Sequence, residues 1–543
     1  MSSLGRSSAL IAAGTLASRV TGLLRSVVLV SVIGGAYTAA GDAFTNANQL
    51  PNNIYMVIST GILTAVLVPQ IVKWSARDDG GGSHISKLMT LGAVLLVGVT
   101  LVAMALAWPL LWIYSSRFTP DQLALGVLFA YWCLPQIFFY GMFALLGETL
   151  NARGVYGPYA WAPIVNNVVS IAGFLVLLGL AGGDQVHVAD WQLADGAWNL
   201  PKIAALGGVA TLGIVAQTAV LVVFWRRTGL SIRPDFRWRG IGLRAVGRLA
   251  GWTFLMMLVG QVLSAYQQTL LSTASGSGPA STSWFNAWLV FMLPYSVIVL
   301  SIGTPYFTRL SGHAAAGRDD DVRADIGRAV RTLGVLCVLA AAAVIVAAEP
   351  AARIFNNSRE DALSVAPVLI GFLVGLVPLA VQFVVQRTFY AYGDTRTPFW
   401  FTVFQAVVAA ALATLSALVF SSDELLPYLA AAIALGQSLS SLAQVVLASW
   451  LLRRRLGPVG MGASMAALAR FALAALPAAA AGYGVYLLSG GAAGWMLAEK
   501  IPAVLGCLVI GAVVAVVYVI ALAVLRAPEL KAITQLVRGR LRG

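Results

Sequence analysis

Arg19 and Arg25 stand six residues apart inside an apolar run from about residue 8 to residue 34, long enough to cross a bilayer. Each charge taken into hydrocarbon costs at least about 2.5–3.5 kcal/mol on insertion scales, so a compensating anion is expected, the alternative being snorkelling or pairing with helix-end carbonyls. At about 100° and 1.5 Å per residue, the two side chains are turned about 240° from each other and lie about 9 Å apart along the axis. That spacing suits a wide hydrated cavity reached at two depths, and an elongated anion such as a pyrophosphate would span it. Asp42, at the outer start of the second apolar run, is a carboxylate that could pair with them, or else a helix N-cap at the water boundary. Pro51 follows among Asn46, Asn48, Gln49, Asn52 and Asn53. A proline frees a backbone carbonyl, which protein or cavity water must satisfy. This predicts a polar, bent helix on which Asn46 and Asn53 are candidate substrate contacts. Glu148 and Arg153 close the fourth apolar run, and Arg387, Asp394 and Arg396 close the tenth. They read either as salt-bridged helix ends or as gating and ion-coupling groups, with Asp394 a candidate cation ligand.

The elements that must carry these residues are membrane helices. Of the 543 residues 59% are hydrophobic and only 10% are charged, against about 25% charged in soluble domains. The expectation is an all-α polytopic membrane protein with little material left for a soluble domain. Fourteen spans are predicted, near 8–34, 43–73, 87–116, 121–150, 157–181, 202–225, 245–273, 281–308, 328–355, 363–391, 397–420, 426–452, 463–489 and 501–525. Basic residues cluster in alternate connections, including Arg226 to Arg248, Arg309 to Arg331 and Arg453 to Arg455, which puts both termini in the cytoplasm. The net charge of +14 is therefore assigned to the cytoplasmic side, not to nucleic acid. The acidic segment 182–199, with Trp191 and Trp198, reads as an outer loop with interfacial tryptophans, and Arg226 to Arg239, with Phe236 and Trp238, as an amphipathic connector on anionic lipid.

Enzymatic chemistry lacks its residues. His84, His187 and His313 have no metal-ligand spacing, and Cys133, Cys337 and Cys507 read as packing residues; no cofactor is called for. Asp319-Asp320-Asp321 is expected in a short loop without a nucleotide-binding domain, and no phosphate-cradling GxxxxGK[ST] loop occurs. Transport driven by an ion gradient, the membrane potential or the substrate's own gradient is what remains.

The chain also repeats itself. Asn46-Ala47, Leu50-Pro51 and Ser59-Thr60-Gly61 in span two are answered by Asn286-Ala287, Leu293-Pro294 and Ser301-Ile302-Gly303-Thr304 in span eight. Ala152-Arg153-Gly154 with Pro158-Tyr159 is answered by Ala391-Tyr392-Gly393 with Pro398-Phe399. This predicts two six-helix lobes around a central cavity, residues 1–227 and 228–455, followed by a helix pair at 456–525 and a basic tail at 526–543.

Ser18-Arg19-x-x-Gly22-x-x-Arg25, Asp42-Ala43-Phe44, Leu50-Pro51-Asn52, Leu134-Pro135-Gln136-x-Phe138-Phe139-Tyr140, Ala162-Pro163-Ile164-x-Asn166 and Phe389-Tyr390-Ala391-x-x-Asp394-Thr395-Arg396-Thr397-Pro398 together resemble the MurJ (MviN) family of lipid II flippases. That family belongs to the multidrug/oligosaccharidyl-lipid/polysaccharide exporter superfamily. The resemblance, with actinobacterial features in span eight, implies fourteen helices, a cationic cavity, and a final helix pair forming a groove for the lipid tail. It implies that lipid II, an undecaprenyl-pyrophosphate-linked disaccharide-pentapeptide, is carried to the outer leaflet of the cytoplasmic membrane for peptidoglycan synthesis. It also implies that Arg19 and Arg25 bind the pyrophosphate, and it admits a coupling cation and cytoplasmic or wall-synthesis proteins as partners. The sequence departs from the family at Ser26, Tyr55 and Leu289, the last two standing where arginines are usual. Exporters of other polyprenyl-linked sugars or of drugs are the rival transporters. Drug export would ask for acidic cavity residues that spans one to twelve barely supply. A non-transporting scaffold for wall synthesis is the rival of another class.

Overall fold

In the computed structural model, the residues described are 3–34, 37–59, 82–180, 198–230, 233–236 and 247–530, with side chains from residue 13 in the first stretch and from 251 in the last. Among them every regular element is a helix. The chain forms two compact units, Met1–Gly276 and Ser277–Gly543. The first contains α1 (Ser3–Ile33), α2 (Ala39–Ile58), α3 (Gly82–Ala105), α4 (Ala107–Ser115), α5 (Pro120–Cys133), α6 (Gln136–Ala152), α7 (Gly157–Leu180), α8 (Leu200–Phe224) and α9 (Gly247–Leu271). The second contains α10 (Ser281–Pro294), α11 (Ser301–Ala315), α12 (Asp319–Val346), α13 (Ala348–Ile354), α14 (Arg359–Leu373), α15 (Leu376–Ala391), α16 (Arg396–Val419), α17 (Leu429–Leu456), α18 (Met461–Leu488) and α19 (Lys500–Val524).

Thirteen stretches of described helix are long and apolar enough to cross a membrane. The second predicted span is not among them. Its described part, α2, is 20 residues long and carries Asp42, Asn46, Asn48, Gln49, Asn52 and Asn53, while residues 60–73 of that span lie outside the described residues.

Several spans are cut, and proline explains where. Pro109, Pro350 and Pro378 each occupy the third residue of the helix beyond a cut, in α4, α13 and α15, and the residue four before each, Ala105, Val346 or Val374, lies at the cut itself. A proline has no N–H to give the carbonyl four residues back, and its ring crowds that carbonyl. In the first turn of a new helix the missing donor is harmless, because N–H groups there have no partner within the helix. Pro135 likewise separates α5 from α6. Span eight is interrupted differently: α10 ends at Pro294 and runs through a π-helical turn, Tyr295–Leu300, into α11.

Two local expectations change. Asp319, Asp320 and Asp321 are not a loop but the first turn of α12, where carboxylates meet the positive end of the helix dipole. Trp198 is not interfacial: it is buried, with its ring edge-on to Phe129 at 5.2 Å. The rest of the acidic loop, residues 182–197, lies outside the described residues, as do Arg237 to Arg239 of the basic connector and the tail beyond Leu530.

Within the first unit α1 packs along α7, α7 along α8, and α2 along α5. Phe44 of α2 meets Phe129 of α5 edge to face at 5.2 Å in the middle of its core. Within the second, α12, α18 and α19 share a core that includes Phe471, Ile510, Val514 and Tyr518. Small residues let these helices approach. A Cβ on Gly371 would lie 2.9 Å from the backbone nitrogen of Leu435, so α14 and α17 touch backbone to backbone.

The repeat read from sequence has a geometric counterpart at one place. After α6, Gly154 takes φ +76° and the Val155 N–H donates back to the Leu150 carbonyl at 2.9 Å. After α15, Gly393 takes φ +69° and the Asp394 N–H donates to the Phe389 carbonyl at 3.0 Å. Both helices end in the same six-to-one turn around a left-handed glycine.

Candidate functional site

The face of α1 that carries the arginines is fixed by amides. Asn167 of α7 donates through Nδ2 to the Ser18 carbonyl at 3.1 Å and to Thr21 Oγ1 at 2.9 Å, which sets the rotation of α1 between Arg19 and Arg25. Thr21 in turn donates to the Ala17 carbonyl at 2.9 Å. Leu16, Val20 and Leu24 then form the exposed apolar stripe of the helix, and Arg19 and Arg25 fall outside it, each partly buried. Neither arginine forms an ion pair with a carboxylate among the described residues. In the second unit, by contrast, Arg309, Arg318, Arg323, Arg328, Arg331 and Arg455 each pair with a carboxylate.

Arg25 has aromatic company. Its charge acts on Tyr140 of α6, and Tyr140 stacks on Tyr55 of α2 with centroids 5.5 Å apart and planes inclined by 26°. Glu148 of α6 is within electrostatic reach of both Tyr55 and Tyr159. Tyr159 stacks on Phe143 at 5.0 Å and covers Gly147, where a Cβ would sit 2.0 Å from its ring. Tyr140, Phe143, Gly147 and Glu148 recur at i, i+3, i+7 and i+8, so one stripe of α6 presents them together. The structure therefore gathers Arg25, Tyr55, Tyr140, Tyr159 and Glu148 in one region of the first unit.

The other sequence candidates lie elsewhere. Asp42 is buried at the start of α2 and accepts a hydrogen bond from Ser275 Oγ at 2.6 Å. Gln122 of α5 donates through Nε2 to the same Ser275 Oγ and to the Ala39 carbonyl, each at 2.8 Å. Asp42 thus belongs to a hydrogen-bonded knot tying α2, α5 and the turn that follows α9. Asn46 is buried and donates to Ser115 Oγ at 2.8 Å. Asn53 accepts on its carbonyl from Gln261 Nε2 of α9 at 2.8 Å and is a hydrogen-bond partner of the Tyr114 hydroxyl. Arg153 is the C-cap of α6, one turn beyond Glu148.

In the second unit, Arg387 sits among three rings, 5.1 Å from Phe307, 5.2 Å from Phe383 and 5.9 Å from Tyr390. Asp394 caps α16: Oδ1 accepts from the Thr397 N–H at 2.9 Å, while Oδ2 accepts from Thr397 Oγ1 at 2.8 Å and from Arg455 Nη1 at 2.7 Å. Both of its oxygens are engaged. Sequence reasoning treated Tyr55 only as a missing arginine and gave Tyr140 and Tyr159 no role. The signal was available in the helical spacing along α6, although the stacking of Tyr55 across helices was not.

A multi-pass helical membrane protein built of two bundles, with Arg19 and Arg25 of its first helix lacking an ion-pair partner among the described residues, has the architecture of a transporter. The chain belongs to the family described as lipid II flippase MurJ, whose pattern matches residues 30–506. It is 25% identical over 411 residues to the probable lipid II flippase MurJ of Haemophilus influenzae, covering 71% of this chain and 75% of that one. It is 26% identical over 420 residues to the corresponding Rhizobium meliloti protein, covering 76% and 75%. Among solved structures, a lipid II flippase MurJ in an inward closed conformation superposes with a TM-score of 0.68 at 17% identity, over 93% of this chain and 98% of that one. An inward-facing multidrug resistance MATE family transporter of the MOP superfamily gives 0.64 at 13% identity, over 82% and 96%. The fold is therefore that of the MOP transporters, and the protein is a multi-pass membrane transporter, not an enzyme.

Proposed function

We propose that this protein flips lipid II from the inner to the outer leaflet of the cytoplasmic membrane by alternating access, with both termini in the cytoplasm. Membership of the lipid II flippase family supports the substrate. The bias of basic residues toward alternate connections supports the orientation. The observation that carries the mechanism is that Arg19 and Arg25 lie within a span with no carboxylate partner among the described residues. Partly buried cations without a protein anion are ready for a substrate anion, and the pyrophosphate of lipid II supplies one.

On this reading the Tyr55–Tyr140 pair and Tyr159 flank the phosphate site with hydroxyl donors and flat faces suited to sugar rings. The chain thereby replaces part of the charge that Tyr55 and Leu289 leave out. Asp42 acts by holding one end of the first bundle closed through Ser275 and Gln122, a knot that must open when the site turns to the other leaflet. Asn46 and Asn53 support the second helix through Ser115 and Gln261. Glu148, Arg153, Arg387 and Asp394 brace the cytoplasmic ends of spans four and ten, where a coupling cation and cytoplasmic or wall-synthesis partners would act. The repeat lobes 1–227 and 228–455, the groove-forming pair 456–525 and the basic tail 526–543 are the division of labour that goes with this reading.

The test is a leaflet-accessibility assay of the lipid II headgroup in cells that depend on this chain. Arg19→Ala with Arg25→Ala should abolish outward appearance of the headgroup while membrane abundance and thermal unfolding stay as in the parent. Undiminished translocation by the folded double variant would remove the arginines from the mechanism.

A further inference from the structure

The second unit contains a cavity of about 410 Å³ between α12, α14 and α18, unrelated to the arginines of the first helix. Ile345, Ile370 and Ala479 are among its apolar lining residues, and Glu349, Tyr483 and Tyr486 are its polar ones. Glu349 opens α13, the short helix created by the proline cut after Val346. Its carboxylate is hydrogen-bonded by the Tyr486 hydroxyl and forms no ion pair among the described residues. The obvious internal partner is turned away. Arg353, one turn along α13, directs its guanidinium to the carbonyls of Leu497 at 3.0 Å, Asn356 at 2.5 Å and Ala498 at 3.0 Å. Tyr483 lies beside Tyr486, with centroids 5.9 Å apart, and is half exposed at the mouth. The charge of Arg359, the first residue of α14, reaches Tyr486.

A carboxylate with no ion-pair partner among the described residues, held by one tyrosine hydroxyl and sharing its cavity with a second tyrosine, favours a cationic group. Apolar walls favour a hydrocarbon chain attached to that cation. The charge of Arg359, which acts on Tyr486 although Arg359 does not line the cavity, favours an anion a few bonds away. One common membrane component carries all three. We infer that this cavity binds a zwitterionic phospholipid with a primary ammonium headgroup, its ammonium on Glu349 and the tyrosines, its phosphate toward Arg359, and an acyl chain along Ile345 and Ile370. The cavity is at the end of span nine remote from Arg328 and Arg331, hence in the outer leaflet on the orientation proposed above. Arg19 and Arg25 take no part; the site shares span thirteen with the lipid-tail groove proposed above, and its test reads retention of added phospholipid in the absence of lipid II.

Native mass spectrometry of the full chain, delipidated and titrated with phosphatidylethanolamine or phosphatidylglycerol of the same acyl chains, tests this. Phosphatidylethanolamine should be retained at least fivefold more than phosphatidylglycerol. Glu349→Gln, nearly isosteric, should reduce that preference to about one, and Tyr483→Leu, at a half-exposed position where folding is not at stake, should lower it at least twofold. Equal retention of the two lipids by the parent would overturn the assignment, as would a preference that survives both substitutions.

Discussion

The arginines of the first helix and those of the second unit occupy opposite situations. Arg353 has its donors on three carbonyls, Arg309 makes a 2.7 Å ion pair with Asp325, Arg455 is bound to Asp394, and Arg387 is surrounded by aromatic faces. Among the described residues Arg19 and Arg25 have neither a carboxylate nor a carbonyl so placed, although Arg25 acts on Tyr140. A cation whose hydrogen bonds are complete within the protein holds the fold together. One left incomplete in an apolar span is costly to the fold, and its retention points to something outside the chain. Position in a span therefore says less about function than whether the donors are occupied.

The comparison can be broken most severely at Arg25. Arg25→Ala alone should lower headgroup translocation by at least tenfold, and Arg25→Lys should recover part of it, because a lysine keeps the charge but not the planar fork. An alanine variant that transports normally and unfolds at a lower temperature would put Arg25 with the structural set. Arg353→Ala should do the converse. It strands the buried carbonyls of Leu497 and Asn356, which costs on the order of 1–3 kcal/mol. Thermal unfolding should shift accordingly, with transport per folded molecule within twofold of the parent.

A smaller effect is expected at Asp394, where Asp394→Ala removes a cap and a partly exposed ion pair together, about 1–2 kcal/mol. Thermal melts would show it. Arg455→Ala should account for only part of the loss, since the cap to Thr397 survives. The smallest effect concerns pH. Tyr392 donates to Asp319 Oδ1 at 2.5 Å, and burial, with that carboxylate adding to it, pushes its phenol up to about 12. A folded value above the unfolded one of about 10 means the contribution is complete below pH 10 and lost as pH rises through 12. The parent should therefore lose stability between those values relative to Tyr392→Phe, and unfolding curves for the two at pH 8 and pH 11.5 would reveal it.

The apolar runs that made the chain a membrane protein were legible because a bilayer demands length and composition from any helix that crosses it. The cuts were less legible: the spans near 87–116 and 363–391 read as continuous, although Pro109 and Pro378 were in view. Helix-end chemistry was read in the right places but not its outcome. Nothing in the order of residues says that Asp394 would meet Arg455, 61 positions away, and so have both oxygens engaged. From sequence Asp42 reads as a partner for an arginine of span one or as a helix N-cap, and the Ser275 hydroxyl, 233 positions along the chain, is a partner that neither reading foresees. Such pairings depend on which helices become neighbours, and local sequence is silent on that.

The proline cuts have a mechanical consequence. At Ala105, Val346 and Val374 the rung that would have joined the two halves is absent from the outset, while the flanking rungs, such as Leu110 to Leu106, Ala351 to Ala347 and Leu379 to Gly375, are intact. Changing the angle between the halves therefore ruptures nothing and involves torsion alone. These three joints, with the break at Pro135 and the π-helical turn Tyr295–Leu300, divide the spans into stiff pieces that can swing against one another.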